Sequence, residues 1–335
     1  MERRQFLANA MFSVAASVAP SRDWLLATLD ESTQVRGTVS NTQVEAIRQT
    51  FAVFNQLDVS RGGGHARIPL ATYLEQVVVP LLRSNDPDTA TGQLLYTAAG
   101  EQLYLLGWTA FDSAEQVMAQ GYLVQALGLA KAANNIELGA HVLAGLSDQA
   151  TFLGHPDHGA QLARTGVAGL ERGHSPACLA RLRVLQARAE AAMGDTAAAT
   201  GSIRLSEKAW EAVQPDNEPE WARFIDATYL NGEYAHTFRN LARSAETAEF
   251  ARASADNAAE SNRPRRAVLA KAALARAALF DHDLETATAA ATKAATLAST
   301  VQSSRSQAAV DDLRTRLRPH RESANVRTFF EQIEA

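Results

Sequence analysis

Apolar residues recur at helical spacing along most of the chain. Val44, Ile47, Phe51 and Phe54 fall at i, i+3, i+7 and i+10, one face of a helix, and Ser40-Asn41 just ahead of them can cap its N-terminus. Arg61-Gly62-Gly63-Gly64-His65 interrupts the pattern, and Tyr73, Leu74, Val77, Val78, Leu81 and Leu82 then begin a second run. Val77-Val78-Val79 alone is strand-like, and the helical spacing on either side assigns it to a helix. From about Thr91 the pattern predicts helix-turn-helix units, with turn signals at Gly107, Gly154-His155-Pro156, Gly194-Asp195 and Asp281-His282-Asp283. Ser175-Pro176 reads as a cap followed by proline in the first helical turn, and Pro219 and Pro264 read as two further helix starts. Strands joined by Asn-Gly or Asp-Gly turns are absent. The pattern is that of an all-α chain.

The turns carry a period. Ala119, Leu123 and Ala126 match the small–large–Ala spacing of the second helix of a tetratricopeptide unit, with Leu106-Gly107 at the corresponding place in the first helix. Ala199 with Ile203, and Ala287 with Ala291 and Ala294, repeat it, and Ala160 and Ala248 are weaker members. These anchors lie roughly 40 to 50 residues apart, longer than the usual repeat. Small residues are needed there because helix axes about 8–10 Å apart leave no room for a long side chain. A lone hairpin cannot close its own core, so neighbours must stack. The expected architecture is a right-handed superhelical solenoid of antiparallel helix hairpins, with about five units. Its divisions are an N-terminal linker or helix at 1–39, a helical pair at 40–90, repeats at 91–300 and C-terminal helices at 301–335.

Composition agrees with this and narrows the partners. Alanine dominates the hydrophobic share and aromatics are only 7%, which favours closely packed helices. A net charge of −5 argues against nucleic-acid binding by this chain alone, which needs a basic face. Arginine clusters at 263, 265 and 266, and at 314, 316, 318 and 321, read as solvated helix ends. The single cysteine, Cys178, excludes an internal disulfide and fits a reducing compartment. No hydrophobic run approaches the ~20 residues that cross a bilayer, so no membrane partner is expected.

Catalytic motifs are missing. There is no phosphate-binding loop, dinucleotide fingerprint or zinc-protease motif, and Gly145-Leu146-Ser147-Asp148-Gln149 lacks the second glycine of a nucleophile elbow. The pairs His155/His158 and His282 with its flanking aspartates read as turn chemistry, so no metal and no cofactor is expected. Three features offer binding chemistry. Arg61, Gly63 and His65 belong to a loop whose backbone N–H groups can cradle an anion, or which simply turns between helices. Trp108 and Asp112, in Gly107-Trp108-x-x-Phe111-Asp112, lie between two helices, with Trp108 either facing the groove or filling the core. Trp221, Phe224 and Tyr229, beside Glu218-Pro219-Glu220, are aromatic anchors suited to a peptide groove, or core.

Arg3-Arg4-x-Phe6-Leu7, Phe54-x-x-Leu57-Asp58 with Gly62-Gly63-Gly64-His65, Tyr73-Leu74, Gly107-Trp108-x-x-Phe111-Asp112, Gln125-Ala126-Leu127-x-Leu129-Ala130 and Ser304-Arg305 occur in this order. In order and spacing the chain resembles the C-terminal tetratricopeptide sensor region of actinobacterial helix-turn-helix transcriptional regulators of the xenobiotic-response-element class. The resemblance implies a cytoplasmic, non-enzymatic scaffold that binds a peptide, small molecule or protein partner on its concave face. A homodimer is compatible with such a scaffold. It also implies that the arginine pair belongs to a linker from a DNA-binding domain, and it leaves direct DNA contact outside these residues. A different reading of Arg3-Arg4 and the apolar run to Pro20 is a twin-arginine export signal, which would make the chain an exported adaptor for protein assembly.

Overall fold

The computed structural model describes residues 39–170 and 175–334; the arginine pair at Arg3-Arg4 lies outside them. The described residues contain helices and no strand. In chain order they are α1 (Asn41–Arg61), α2 (Gly63–Tyr73), a π-helical turn (Leu74–Val78), α3 (Val79–Ser84), α4 (Ala90–Asp112) and α5 (Gln116–Ala132). There follow α6 (Ile136–Phe152), α7 (Pro156–Leu170), α8 (Pro176–Ala192), α9 (Thr196–Glu211), α10 (Ala227–Asn240) and α11 (Ser244–Glu260). The last are α12 (Pro264–Phe280), α13 (Leu284–Ala298), α14 (Ser304–Leu317) and α15 (Ala324–Glu334). Helices α4 to α13 pair as five antiparallel hairpins, and each hairpin stacks on the next. This is an all-α helical-repeat solenoid.

The starts and stops have local causes. Side-chain oxygens of Thr89, Asn135, Ser175, Asp195, Asp226, Asp283 and Ser303 accept from backbone N–H groups three residues on, supplying caps for seven helices. Ser40 and Gln43 form a reciprocal capping box at α1. Pro176 and Pro264 open α8 and α12 as expected, but Pro219 introduces only the 3-10 turn Glu220–Ala222. Helix α10 starts later, where Asp226 provides the cap.

The repeat is more regular than its sequence. The turns inside the hairpins each place one residue in the left-handed region, namely Ala114, Gly154, Gly194, Ala242 and His282. Successive turns are therefore 40, 40, 48 and 40 residues apart. After each, an N–H closes back on the carbonyl five residues earlier, as from Glu115 to Ala110 and from Asp283 to Ala278. The longer interval contains the connection between α9 and α10, with its two 3-10 turns. Counting from the turns puts Ala119, Gly159, Ala199, Thr247 and Ala287 in one register, facing Gly107, Ser147, Ala187, Ala235 and Ala275. The anchors Ala119, Ala199 and Ala287 agree with the sequence pattern, as do the turns at Gly154, Gly194 and His282. At two others, residues 160 and 248 give way to Gly159 and Thr247, one position earlier. Gly107 is not a turn either. It lies inside α4, where an added Cβ would stand 3.0 Å from Leu123, and the chain reverses at Ser113–Glu115 instead.

The ends of the solenoid meet. Helix α1 packs against α12, and α14 against α12 and α13. The Gln302 N–H donates to the Arg61 carbonyl at 2.9 Å, and the Gly64 N–H donates to the Gln302 carbonyl at 3.4 Å. The break between α1 and α2 is a single residue, Gly62, at φ +90°, and a Cβ there would lie 2.4 Å from the Gln302 carbonyl oxygen. It is a sharp corner and not a cradle. The core from Val39 to Phe238 is continuous, and a second one joins α12 and α13 to α14 and α15. A small patch built on Ala235, Ala251 and Ala273 lies at the seam between the fourth and fifth hairpins.

Left-handed φ costs an L-residue about 1 kcal/mol more than glycine. Ala242→Gly is therefore expected to raise the thermal midpoint by roughly 2 °C, and Gly194→Ala to lower it by a similar amount, read by circular dichroism. An unchanged or lowered midpoint for Ala242→Gly would refute this reading of the turn.

Candidate ligand-binding site

Asp112, the last residue of α4, joins the two ends of the solenoid. Its side chain is 0% exposed. Its Oδ2 accepts from the Gly63 N–H at 3.2 Å and from Arg265 Nη1 at 2.8 Å, and its Oδ1 from Ser303 Oγ at 2.8 Å and Arg305 Nε at 2.9 Å. The donors come from α2, α12, the cap of α14 and α14 itself. Arg265 also reaches Asp58 on α1, at 2.8 Å and 3.1 Å. Burial works against the Asp112 charge, but Arg265, Arg305, Ser303 and Gly63 hold its carboxyl well below the usual range. A Cβ on Gly63 would lie 2.7 Å from the Thr109 carbonyl oxygen, so glycine permits the corner to dock on α4. The loop's N–H group thus meets an anion after all, one supplied by the chain itself. Arg61 and His65 are exposed at that corner.

Behind this clasp the first helices of the hairpins, with α1 and α14, surround a cavity of about 710 Å³. That is within the range of sites for drug-sized molecules. Tyr104, Trp108 and Phe111 from α4, Phe152 from α6, and Trp221, Phe224 and Tyr229 from the α9–α10 connection and α10 contribute its aromatic lining. Glu218 anchors that connection. Its carboxylate accepts from Ser175 Oγ and from the Ala177 N–H, at the N-terminus of α8.

Arg181 of α8 stands behind the aromatic lining and is 1% exposed. It donates to the hydroxyls of Tyr104 at 2.8 Å and Tyr229 at 3.2 Å, and lies 5.2 Å from the centroid of Phe224. Its third partner is His141 Nδ1, at 2.8 Å. Burial and the adjacent guanidinium depress His141 well below the ordinary range, so the ring is neutral and Nδ1 accepts. No carboxylate bonds to Arg181 among the described residues.

The other charges of the lining are mostly cancelled. Arg188 donates to both Asp148 and Glu233 at 2.7 Å, and Arg266 donates to Glu233 at 3.0 Å. Although burial opposes it, Arg188 and Arg266 keep the Glu233 carboxyl well below its usual range. Arg263 pairs with Asp226 at 2.8 Å. Asp312 serves two arginines, Arg316 at 2.9 Å and Arg276 at 3.5 Å. Arg239 of α10 makes no ion pair among the described residues, and its hydrogen-bond partners are neutral: His236 Nδ1 at 3.1 Å and Asn240 Oδ1 at 3.2 Å.

Of the residues singled out by sequence, Trp108, Trp221, Phe224 and Tyr229 line one cavity, while Asp112 and Gly63 close the clasp next to it. Trp108 and Asp112 sit within α4 and not between two helices. Arg181 and Arg239 escaped notice, and the cluster at 263, 265 and 266, expected to be a solvated helix end, instead faces the cavity, with Arg265 on Asp58 and Asp112 and Arg266 on Glu233. Arg181 had a signal, a charge on a helix face otherwise made of Ala177, Cys178, Leu182 and Leu185. Among the described residues no group of His, Cys, Asp and Glu could hold a metal, and no helix is long and apolar enough to cross a membrane. No protein-family model matches the chain, and no curated protein sequence matches it.

Asp112→Asn leaves two buried guanidinium groups short of their anion and should cost about 3–5 kcal/mol, measured by denaturant unfolding. The depressed carboxyl stabilises the fold above its unfolded value of 3.8, and this contribution is lost as pH falls below that point. An Asp112→Asn variant as stable as the parent at pH 7 would show that the clasp carries no weight.

Glu101, one turn before Tyr104, behaves oppositely. Burial chiefly, with Glu220 adding to it and Arg48 opposing, raises its carboxyl from 4.5 to about 7. The folded value exceeds the unfolded one, so stability is lost as pH rises from about 4.5 to about 7. Glu101→Gln is expected to be more stable than the parent at pH 8, by ~2–3 kcal/mol, and equal to it near pH 4.5. A gain that does not depend on pH would contradict this.

Proposed function

We propose that this chain is a regulatory ligand-binding scaffold, the sensing region of a cytoplasmic transcriptional regulator, with no catalysis of its own. One observation carries the proposal: a drug-sized, aromatic-lined cavity, partly open to solvent, is bounded by the two joined ends of the solenoid. A molecule bound there would touch α1, α14 and the inner helices of several hairpins together. It would thereby favour one packing of the ring over another, and differential affinity for two packings is what a sensor requires. The resemblance to regulator sensor regions supports the same reading. The ordered motifs that carry it, Gly62-Gly63-Gly64-His65, Phe111-Asp112 and Ser304-Arg305, contribute residues to the clasp.

The neutral dye N-phenyl-1-naphthylamine should bind saturably, at one site per chain, with enhanced fluorescence. Ala309→Trp on α14, or Ala52→Trp on α1, places an indole in the cavity lining and should abolish binding while leaving the helical content intact. Binding that survives both substitutions, or no binding by the parent protein, would overturn the reading.

A further inference from the structure

We infer that the central cavity takes a small organic acid, a carboxylate or sulfonate on an aromatic or apolar body, with the acid group received by Arg239. This rests on the proposed role of the cavity as a ligand site and specifies the chemistry of the ligand.

Positive and negative charges around the cavity do not balance. Asp148 and Glu233 are matched by Arg188 and Arg266, and Asp58 and Asp112 by Arg265 and Arg305. Arg263 is matched by Asp226. With those networks neutral, the surplus around the cavity is positive. Glu220 and Arg223, both exposed, also line the cavity and cancel in the count, so the surplus resides on Arg181 behind the aromatic lining, on the arginine pair that shares Asp312, and on Arg239. Of these, Arg181 is closed off by Tyr104, Tyr229 and His141. Arg276 and Arg316 share an acid. Arg239 has none among the described residues.

Arg239 bears the marks of a cation awaiting an anion. Its Nε is shielded from solvent and has no hydrogen-bond partner. Burial first, then repulsion from Arg276 and Arg188, lowers it to about 9 against the weaker attraction of Asp312 and Glu233. Burial and Arg239 itself keep His236 neutral, so the imidazole does not compete for an incoming anion. Arg239 and Arg276 also form the shared wall between the central cavity and a second cleft of about 430 Å³. That cleft is lined by Arg243, Arg316 and His320 with no acidic side chain. Arg243 pairs with Glu246 and Arg316 with Asp312, so the surplus at this wall rests on Arg239 and on Arg276, which shares Asp312. A guanidinium in such surroundings binds a carboxylate through charge-assisted hydrogen bonds that water screens weakly.

The remainder of the lining fixes the body of the ligand. Trp108, Phe152, Trp221 and Phe224 offer ring faces and edges, and the volume suits one or two fused rings with a short substituent. A peptide long enough to follow the concave face would exceed that volume, whereas a small acid would not.

The test uses two dyes on the full chain. 8-Anilinonaphthalene-1-sulfonate has the ring system of N-phenyl-1-naphthylamine plus one negative charge. The sulfonate should bind at least about tenfold more tightly than the neutral dye, as one charge-assisted contact implies. Arg239→Met should erase that difference and leave neutral-dye affinity unchanged, and Arg239→Lys should retain part of it. Naphthalene-1-acetate should displace the sulfonate, and its amide should not. Because Arg239 lacks an acidic partner, Arg239→Met should melt no lower than the parent, which separates a binding defect from misfolding. Equal affinities of the two dyes, or sulfonate binding unaffected by Arg239→Met, would overturn the inference while leaving the cavity a ligand site. Displacement by a short peptide ending in phenylalanine but not by naphthalene-1-acetate would overturn the small-acid assignment. If neither dye binds, both the inference and the ligand-site reading fall.

Discussion

The arrangement of this molecule depends on one buried carboxylate. A stack of helix hairpins is quasi-one-dimensional, and each unit ordinarily touches only its neighbours. Asp112 departs from that rule. It binds Arg265 and Arg305, 153 and 193 residues further along the chain, together with the α1–α2 corner. Isolated in a protein interior, a carboxylate would be driven to protonate. Two guanidinium groups, a hydroxyl and a backbone N–H keep this one ionised. Gly62 and Gly63 have their explanation here, because a side chain on either would strike the backbone of Gln302 or Thr109. Closure adds α1 and α14 as walls to what would otherwise be a concave surface, and the cavity stays partly open to solvent.

Once the ring is closed, its charges have to be settled in low dielectric, and most are settled by pairing. Glu233 sits between Arg188 and Arg266, and Asp58 and Asp112 flank Arg265. Arg181 is settled differently, by neutral groups. Two tyrosine hydroxyls and an unprotonated imidazole satisfy its donors, and aromatic rings surround it, but none of these cancels its charge. Together with Arg239, it leaves the aromatic cavity positive inside a chain whose overall charge is −5. The acidic balance of the sequence therefore describes the outer surface and misdescribes the interior.

How much of this was legible depended on whether the information was local. Helix periodicity, capping residues and the small residues at hairpin crossings are patterns within a few positions, and they disclosed the hairpin solenoid. Local ambiguity caused the one-residue slips. Ala160 beside Gly159 and Ala248 beside Thr247 are both compact neighbours, and only the turn geometry chooses between them. Gly107 resembled a turn because glycine serves both turns and close helix crossings, and here it serves a crossing with Leu123. Aromatic anchors could be named from sequence, since Trp108, Trp221, Phe224 and Tyr229 are scarce residues in an alanine-rich chain. Their convergence on one cavity could not, because it requires the ends to meet. The pairing of Asp58 with Arg265 spans 207 residues and leaves no periodic trace. Arg239 ends its helix like many surface arginines and becomes distinctive only when no acid is found beside it.

Ring closure is the claim on which the cavity, its charge and the sensing role all rest. It is tested most directly by electron–electron double resonance between spin labels at Val53→Cys on α1 and Gln307→Cys on α14, both exposed positions, with Cys178 buried and out of reach of the label. A closed ring predicts a single narrow distance distribution that broadens and lengthens when Asp112 is replaced by Asn. A broad distribution in the otherwise unaltered chain, or a narrow one that Asp112→Asn leaves untouched, would contradict it.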